Sequence, residues 1–304
     1  ILDSSEEITK GNEYDILLPW LGQGLLLKKG EEWRQRRHLL TPTFHFTQLD
    51  TYINSMNRHS RLLVDEILVD QIGKKIDIYP LIKLCTLDII CETAMGKDLG
   101  SQFNPNQPYV TSVKRMVQLV IEFLAKPYYW SKTIRTLSGK QQEFQRHAEV
   151  ARAFTKNVID ERKEVISKGE VEMNKRAFLD VLIAQNDNNH LSDEEIQEEV
   201  DTFMFEGHDT TASGLAWTIW CLACNPEIQD KAAKEVLDLF EDDVEAESTR
   251  NRLQSMNYLD RCIKEAMRLF PPVPIVMRTL QNDFQCGNGC DLKRFSLRFS
   301  NSTF

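Results

Sequence analysis

Apolar positions recur at three- and four-residue spacings along most of the chain, and alternating β-branched runs are few, so the pattern predicts a mainly α fold with little β structure. Residues 31–40 (EEWRQRRHLL) read as a short amphipathic helix stopped at Thr41-Pro42, because a proline ring disfavours helical geometry in the residue before it. Residues 47–70 place Leu49, Ile53, Met56, Leu63, Ile67 and Leu68 at helical spacings, and residues 80–95 repeat the pattern with Leu81, Leu84, Cys85, Asp88 and Ile89. Both are expected to be packed core helices. A long charged helix over 139–165 gives way at Lys168-Gly169 to a polar stretch ending near Arg176, expected to be a solvated loop, as is the acid-rich stretch 241–247.

Residues 192–224 carry the strongest pattern. Ser192 with Glu195 three positions on forms a capping box, Asp193 and Glu194 suit the positive end of a helix, and Asn225-Pro226 ends the pattern. A helix of about 32 residues is roughly 48 Å long, enough to cross a whole domain. Phe203, Met204 and Phe205 lead into its centre and Leu215, Ala216, Trp217, Ile219 and Trp220 lead out, which predicts burial. Between them lie Glu206, Gly207, His208, Asp209, Thr210 and Thr211. Burying such groups without partners costs several kcal/mol. Gly207 and the threonine hydroxyls predict a local distortion that frees carbonyls, where a carboxylate beside a hydroxyl can order water and pass protons. A polar patch on a solvent channel, or a satisfied buried network, fits the same pattern.

In residues 257–270, Leu259, Cys262, Ile263, Ala266 and Phe270 form an inward stripe, leaving Glu265 and Arg268 as an i,i+3 pair on the other face. Taken alone, that is the pattern of an exposed ion pair. Trp33 and Arg37 form an i,i+4 aromatic–cation pair within a dense basic run, able to clamp an anion or simply to make a solvated basic face.

Composition narrows the field. The 304 residues are 41% hydrophobic and 27% charged, ordinary for a globular protein, and the net charge of −9 provides no global basic surface for nucleic acid. No apolar run approaches the ~18 residues of a membrane span. The chain opens at Ile1 without a Met or a signal-like start, as a fragment would. Seven spread cysteines read as reduced thiols; Cys221 and Cys224 make a C-x-x-C, better explained by core packing than by redox chemistry.

Read in order, these motifs resemble the cytochrome P-450 haem-thiolate monooxygenases. Residues 199–211 (EVDTFMFEGHDTT) are similar to the oxygen-activation helix of the family-4, fatty-acid ω-hydroxylase branch. Residues 265–268 (EAMR) resemble the family's E-x-x-R, residues 33–37 (WRQRR) its W-x-x-x-R, and residues 272–278 (PVPIVMR) the segment whose arginine meets the haem. Residues 18–25 (LPWLGQGL) and 40–46 (LTPTFHF) are also like that branch. The resemblance implies a partial cytochrome P-450 fold, with residues 1–289 the central part of a haem domain and 290–304 a divergent tail.

The resemblance further implies that Thr210 with Asp209 is the alcohol–acid pair guiding protons to the reacting oxygen. Glu206 occupies the position that in this branch can form an ester to a haem methyl group. Trp33, Arg37 and Arg278 would bind the propionates of haem b, for which planar multi-donor arginines are suited. Glu265 and Arg268 would stabilise the fold, with Arg268 locked to a downstream loop. The implied reaction inserts one oxygen atom of O₂ into an unactivated C–H bond of a fatty acid or related lipid, with electrons from a reductase that draws on NADPH. The implied location is the cytosolic face of the endoplasmic reticulum membrane, through an amino-terminal anchor.

One departure stands out. The family's F-x-x-G-x-R-x-C-x-G loop, whose thiolate holds the iron, does not occur in this sequence. Cys286 and Cys290 (CGNGC) lack the preceding Phe and Arg and sit where a β-turn is expected. The chain therefore reads as truncated at both ends and without turnover by itself. Two other classes stay open: a non-catalytic helical fragment, and a metal-dependent hydrolase using His208 and Asp209 with His147 or His190.

Overall fold

A computed structural model of the chain describes residues 9–44, 46–169, 177–187, 190–241, 243, 246–280, 283–285, 291–292 and 296–300. Residues 170–176, most of the expected polar loop, lie outside the described residues, as do Cys286 and Cys290.

The fold is mainly helical. In chain order the helices are α1 (Leu18–Leu21), α2 (Gly30–Leu40), α3 (Phe46–Arg61), α4 (Tyr79–Met95), α5 (Pro108–Ala125), α6 (Lys132–Leu137), α7 (Lys140–Ser167), α8 (Phe178–Asp187), α9 (Asp193–Ala223), α10 (Pro226–Leu239), α11 (Arg250–Ser255) and α12 (Asn257–Leu269). Proline at the first or second position starts α4, α5 and α10, where a missing N–H costs nothing. The helix expected over 47–70 ends as α-helix at Arg61 and continues as a π-turn over Leu62–Leu68. Met56, expected in the core, is 41% exposed.

The capping box of α9 is formed: Ser192 Oγ accepts from the Glu195 N–H at 3.2 Å, and Glu195 Oε2 accepts from the Ser192 N–H at 3.0 Å. From there α9 runs unbroken across the molecule, with α4 along one side, α7 and α8 against its first half and α12 against its last. The main core joins Trp20 and Leu21 to Tyr109, Phe123, Phe144, Leu179, Leu182, Val200 and Met204. A smaller cluster of Leu63, Ile82, Cys85 and Ala212 sits between α4 and α9.

The expectation of burial fails in the last third of α9. Trp217 and Trp220 are 39% and 52% exposed, and their described cover is Phe270, stacked on Trp217 at 4.3 Å and edge-on to Trp220 at 5.7 Å. Cys224, expected to pack in the core, is exposed at the helix end, and Cys221 is partly buried. The helix emerges beyond the layer of α4, so apolar periodicity continues where the partner does not.

Strand β1 (Ile275–Thr279) pairs antiparallel with β4 (Ser296–Ser300), Ile275 opposite Ser300 and Thr279 opposite Ser296. Strand β2 (Phe284–Gln285) pairs with β3 (Asp291–Leu292). On the other edge of β1, Thr279 N–H donates to Thr9 O at 2.9 Å, and Lys10 forms an antiparallel bridge with Arg278. That pairing brings the start of the described chain to the residues that follow α12.

Candidate functional site

The polar centre of α9 divides between two faces, because successive residues turn about 100°. Asp209 faces α4: its Oδ1 accepts from the Tyr79 hydroxyl at 3.1 Å and lies 2.5 Å from Nζ of the buried Lys83. Burial, then the Asp209 charge, pushes the Tyr79 phenol up, so it stays a donor. Thr210 turns the other way, and its hydroxyl donates to the Glu206 carbonyl at 2.6 Å. The back-bond one turn earlier is therefore present, yet the helix stays regular. Gly207 has a different use from the expected distortion: a Cβ there would stand 2.8 Å from Cδ1 and Cγ1 of Ile90 on α4, so the missing side chain lets two helices close up.

Glu206 shares the Thr210 face and is partly buried. Burial pushes its carboxyl up to about 7; Glu199, one stripe position earlier, adds to the rise and Lys10 opposes it. Lys10 sits opposite Arg278 on the neighbouring strand, donates from Nζ to the Leu26 carbonyl and lies over the Tyr14 ring at 5.8 Å. Burial lowers the Lys10 amine to about 8, with Glu206 pulling it back up and Arg278 pushing it down. Arg278 is partly buried, and its guanidinium donates to the Met277 carbonyl at 3.0 Å.

On α2 two neighbouring arginines differ in environment. Arg37 is exposed, and no side-chain hydrogen bond or ion pair among the described residues joins it to Arg278 or Glu206. Its neighbour Arg36 is 6% exposed and pairs with Glu199, fully buried, at 2.7 Å and with Glu195. Glu199 also accepts from the Leu25 N–H at 3.0 Å. Burial raises the Glu199 carboxyl, and the Leu25 and Arg36 contacts oppose the rise. Trp33 is partly buried.

Glu265 and Arg268 make the bidentate pair the spacing predicts, at 2.8 and 2.7 Å, on the exposed face of α12. His208 is fully buried, its Nδ1 donates to the Met204 carbonyl at 2.5 Å, and burial with the Lys83 charge holds it well below the usual imidazole range. His147 bonds Ser112 at 3.1 Å on α7, and His190 is exposed. Among the described residues no group of three or more His, Cys, Asp or Glu can hold a metal ion, so the hydrolase arrangement does not assemble.

Sequence reasoning missed Lys83, Tyr79, Arg36 and Lys10. A single cation within the apolar run of α4 was the available signal for Lys83. Nothing local distinguishes Arg36 from Arg37, or marks Lys10.

The family described as Cytochrome P450 matches residues 3–293. Cytochrome P450 4V2 of Pongo abelii is 40% identical over 296 residues, covering 93% of this chain and 56% of the relative. Cytochrome P450 4c3 of Drosophila melanogaster is 39% identical over 305 positions, covering 94% and 57%. Cytochrome P450 4c21 of Blattella germanica is 38% identical over 299, covering 94% and 59%. The chain thus spans a little over half the length of the curated relatives it matches. With a family match across nearly all of its residues, and relatives of this similarity along almost the whole of it, the chain belongs to the cytochrome P450 family.

Proposed function

We propose that the protein to which these residues belong is a haem-dependent monooxygenase of fatty acids or related lipids, with the Glu206–Thr210 face of α9 turned towards haem b. The observation that carries this reading is the face itself. A carboxyl and a hydroxyl, Glu206 and Thr210, lie there partly buried rather than sealed in core, and the Lys10 charge, bridged to Arg278 on the strand, acts on the Glu206 carboxyl. The substrate class is taken from the resemblance of residues 199–211 to the fatty-acid ω-hydroxylase branch.

The residues fit the periphery of a haem. Arg278, and Arg37 on α2, suit its anionic propionates, since a guanidinium offers several donors in one plane. Trp33 adds an indole beside Arg37. Glu206 offers a carboxyl to a haem methyl group. When bound, haem supplies the activation of O₂ and the oxygen insertion, with electrons from an NADPH-dependent reductase.

Thr210 holds a proton at Oγ1, given to the Glu206 carbonyl, and rotation of the hydroxyl offers it to the open face instead. Asp209 is the adjacent acid, and its carboxylate reaches that face only by leaving Lys83 and Tyr79. Glu265 and Arg268 touch neither face, and the part assigned to them is to hold a downstream loop rather than to stabilise the described helices.

Burial pushes the Cys85 thiol up to about 12 and Cys91 further, and Cys221 and Cys262 are raised too, which disfavours the thiolate at these four. Because the F-x-x-G-x-R-x-C-x-G loop does not occur in the sequence, the 304-residue chain is expected to take up haem without turnover. Among the described residues no helix is long and apolar enough to cross a membrane; attachment to the endoplasmic reticulum, cytosolic face, is assigned to an amino-terminal anchor of the longer protein.

An absorbance spectrum of the purified chain with added haem, reduced under carbon monoxide, tests the reading. Saturable haem uptake weakened by Arg278→Ala supports it; a thiolate-type band, or ω-hydroxy fatty acid formed with reductase, overturns the expected lack of turnover. No haem band at all overturns the haem reading and leaves a non-catalytic helical protein.

A further inference from the structure

The acid-rich stretch 241–247, which the sequence presents as a solvated loop, forms one wall of a groove. Two adjoining cavities, of about 690 and 430 Å³, open where α3 and its π-turn face the residues that follow α10. Arg61, Asp65 and Glu247 line both, so the two are continuous. The groove follows α3 from Asn54 to Glu66, roughly 18 Å at 1.5 Å per residue.

Its floor is apolar and open. Phe103 is 66% exposed, Val64 56% and Leu237 41%, and each lines one of the cavities. Its walls are acidic: Asp65 and Glu66 stand on the π-turn, Glu247 and Asp243 on the stretch after α10. Six carboxylates line the groove against two guanidiniums. Of these two, Arg58 is committed to Glu92 at 2.5 Å and to Asp98 at 3.1 Å. No ion pair among the described residues takes up Asp65, Glu66 or Glu247. Like charges on facing walls repel, and a cation between them reverses the sign of that term.

The groove is also preformed. Asn57 Nδ2 donates to the Ser248 carbonyl at 2.9 Å, and Arg252 donates to the Glu247 carbonyl at 3.0 Å while lying over the Phe240 ring at 4.7 Å. These contacts tie the acidic wall to α3 and α11, so little ordering of the wall remains to oppose binding.

We propose that this groove docks a basic amphipathic segment of a partner protein, with apolar side chains on Val64, Leu237 and Phe103 and with lysines or arginines between the Asp65–Glu66 and Glu247 walls. Charge complementarity selects that occupant. The same walls repel phosphate backbones and anionic lipid, and a second copy of this chain brings a further net charge of −9. A small polyamine would satisfy the walls and leave the apolar floor open to water. The proposal stands apart from the haem reading, because the groove shares no lining residue with the Glu206–Thr210 face.

The test uses the 304-residue chain and a fluorescein-labelled Leu/Lys amphipathic peptide of about 12 residues, matched to the groove and followed by anisotropy. Asp65→Asn with Glu66→Gln and Glu247→Gln is expected to weaken binding about tenfold, whereas Glu32→Gln with Glu149→Gln and Asp160→Asn, at exposed acids elsewhere, changes it less than about twofold. Val64→Ser with Leu237→Ser leaves the charge unchanged and is expected to weaken binding severalfold, each protein keeping native circular dichroism. Equal losses from the two sets of neutralised acids reveal attraction to net charge alone and overturn the proposal, as does an absence of binding. Full affinity in the Val64→Ser, Leu237→Ser protein, with spermine displacing the peptide, reassigns the groove to a small polycation and overturns it. A dimer in sedimentation that the groove variants disperse gives the face to a second copy and overturns it too.

Discussion

Lys83 Nζ lies 2.5 Å from Asp209 Oδ1, so the acid that precedes Thr210 is held on the α4 side of the long helix by a buried ammonium. Removing one partner of such a pair strands the other charge in low dielectric. Lys83→Met is expected to lower stability by about 3 kcal/mol in denaturant unfolding, while adding Asp209→Leu recovers most of the loss. Additive losses in the double variant would show that the two residues do not act as a pair.

Arg36 and Arg37 are adjacent in sequence and opposite in environment. Arg36→Ala leaves the fully buried Glu199 without its cation and is expected to cost about 3–5 kcal/mol. Arg37→Ala, on an exposed side chain, is expected to stay within about 0.5 kcal/mol. Urea titrations of the two variants side by side check the order, and equal losses would contradict the structure.

Asp201 on α9 is fully buried; Oδ1 accepts from the Thr155 hydroxyl at 2.6 Å, and Arg152 stands 3.7 Å from Oδ2. Burial pushes its carboxyl up to about 7 from an ordinary value of 3.8. Between those values the folded protein keeps a proton the unfolded chain has lost, so this contribution to stability is complete below about pH 4 and is lost as pH rises to about 7. His208, held low, acts with the opposite sign and is common to both proteins compared. Asp201→Asn is expected to make stability fall less steeply between about pH 5 and about pH 7, by up to about 1.4 kcal/mol per pH unit. Parallel stability–pH curves would refute the assignment.

Gly207→Ala gains ~1 kcal/mol of helix propensity yet drives a methyl group against Ile90, whose branched Cβ leaves it little freedom. Overpacking of this kind costs ~1–3 kcal/mol. The net expectation is a less stable protein, rescued by Ile90→Ala in the same background; a rise in melting temperature for Gly207→Ala alone would count against the close approach.

Glu265→Ala and Arg268→Ala are expected to leave the unfolding midpoint of this chain unchanged, since both side chains are more than half exposed. A clear drop in the midpoint would assign the pair a structural contact the exposed face does not show.

The helices were largely legible before any coordinates, because a 3.6-residue apolar period and a capping box are local signals. The long helix from Asp193 is the clearest case: Ser192, Glu195 and the Asn225-Pro226 stop each act within a few residues of one another. The polar knot at its centre was legible for the same reason, as was the exposed pairing of Glu265 with Arg268.

Tertiary structure decided which way each polar group turns and what meets it. Asp209 and Thr210 are neighbours in sequence, yet Lys83 and Tyr79 from a helix some 130 residues earlier claim one, while the hydroxyl of the other is given to the Glu206 carbonyl. Arg36 rather than Arg37 is buried because only one side of α2 meets Glu199, and Lys10 meets Arg278 through a strand bridge that spans most of the chain. Burial ends part-way along α9 for a similar reason: hydrophobic spacing states which side of a helix can be covered, and only the arrangement of the other helices determines how far along it the cover extends.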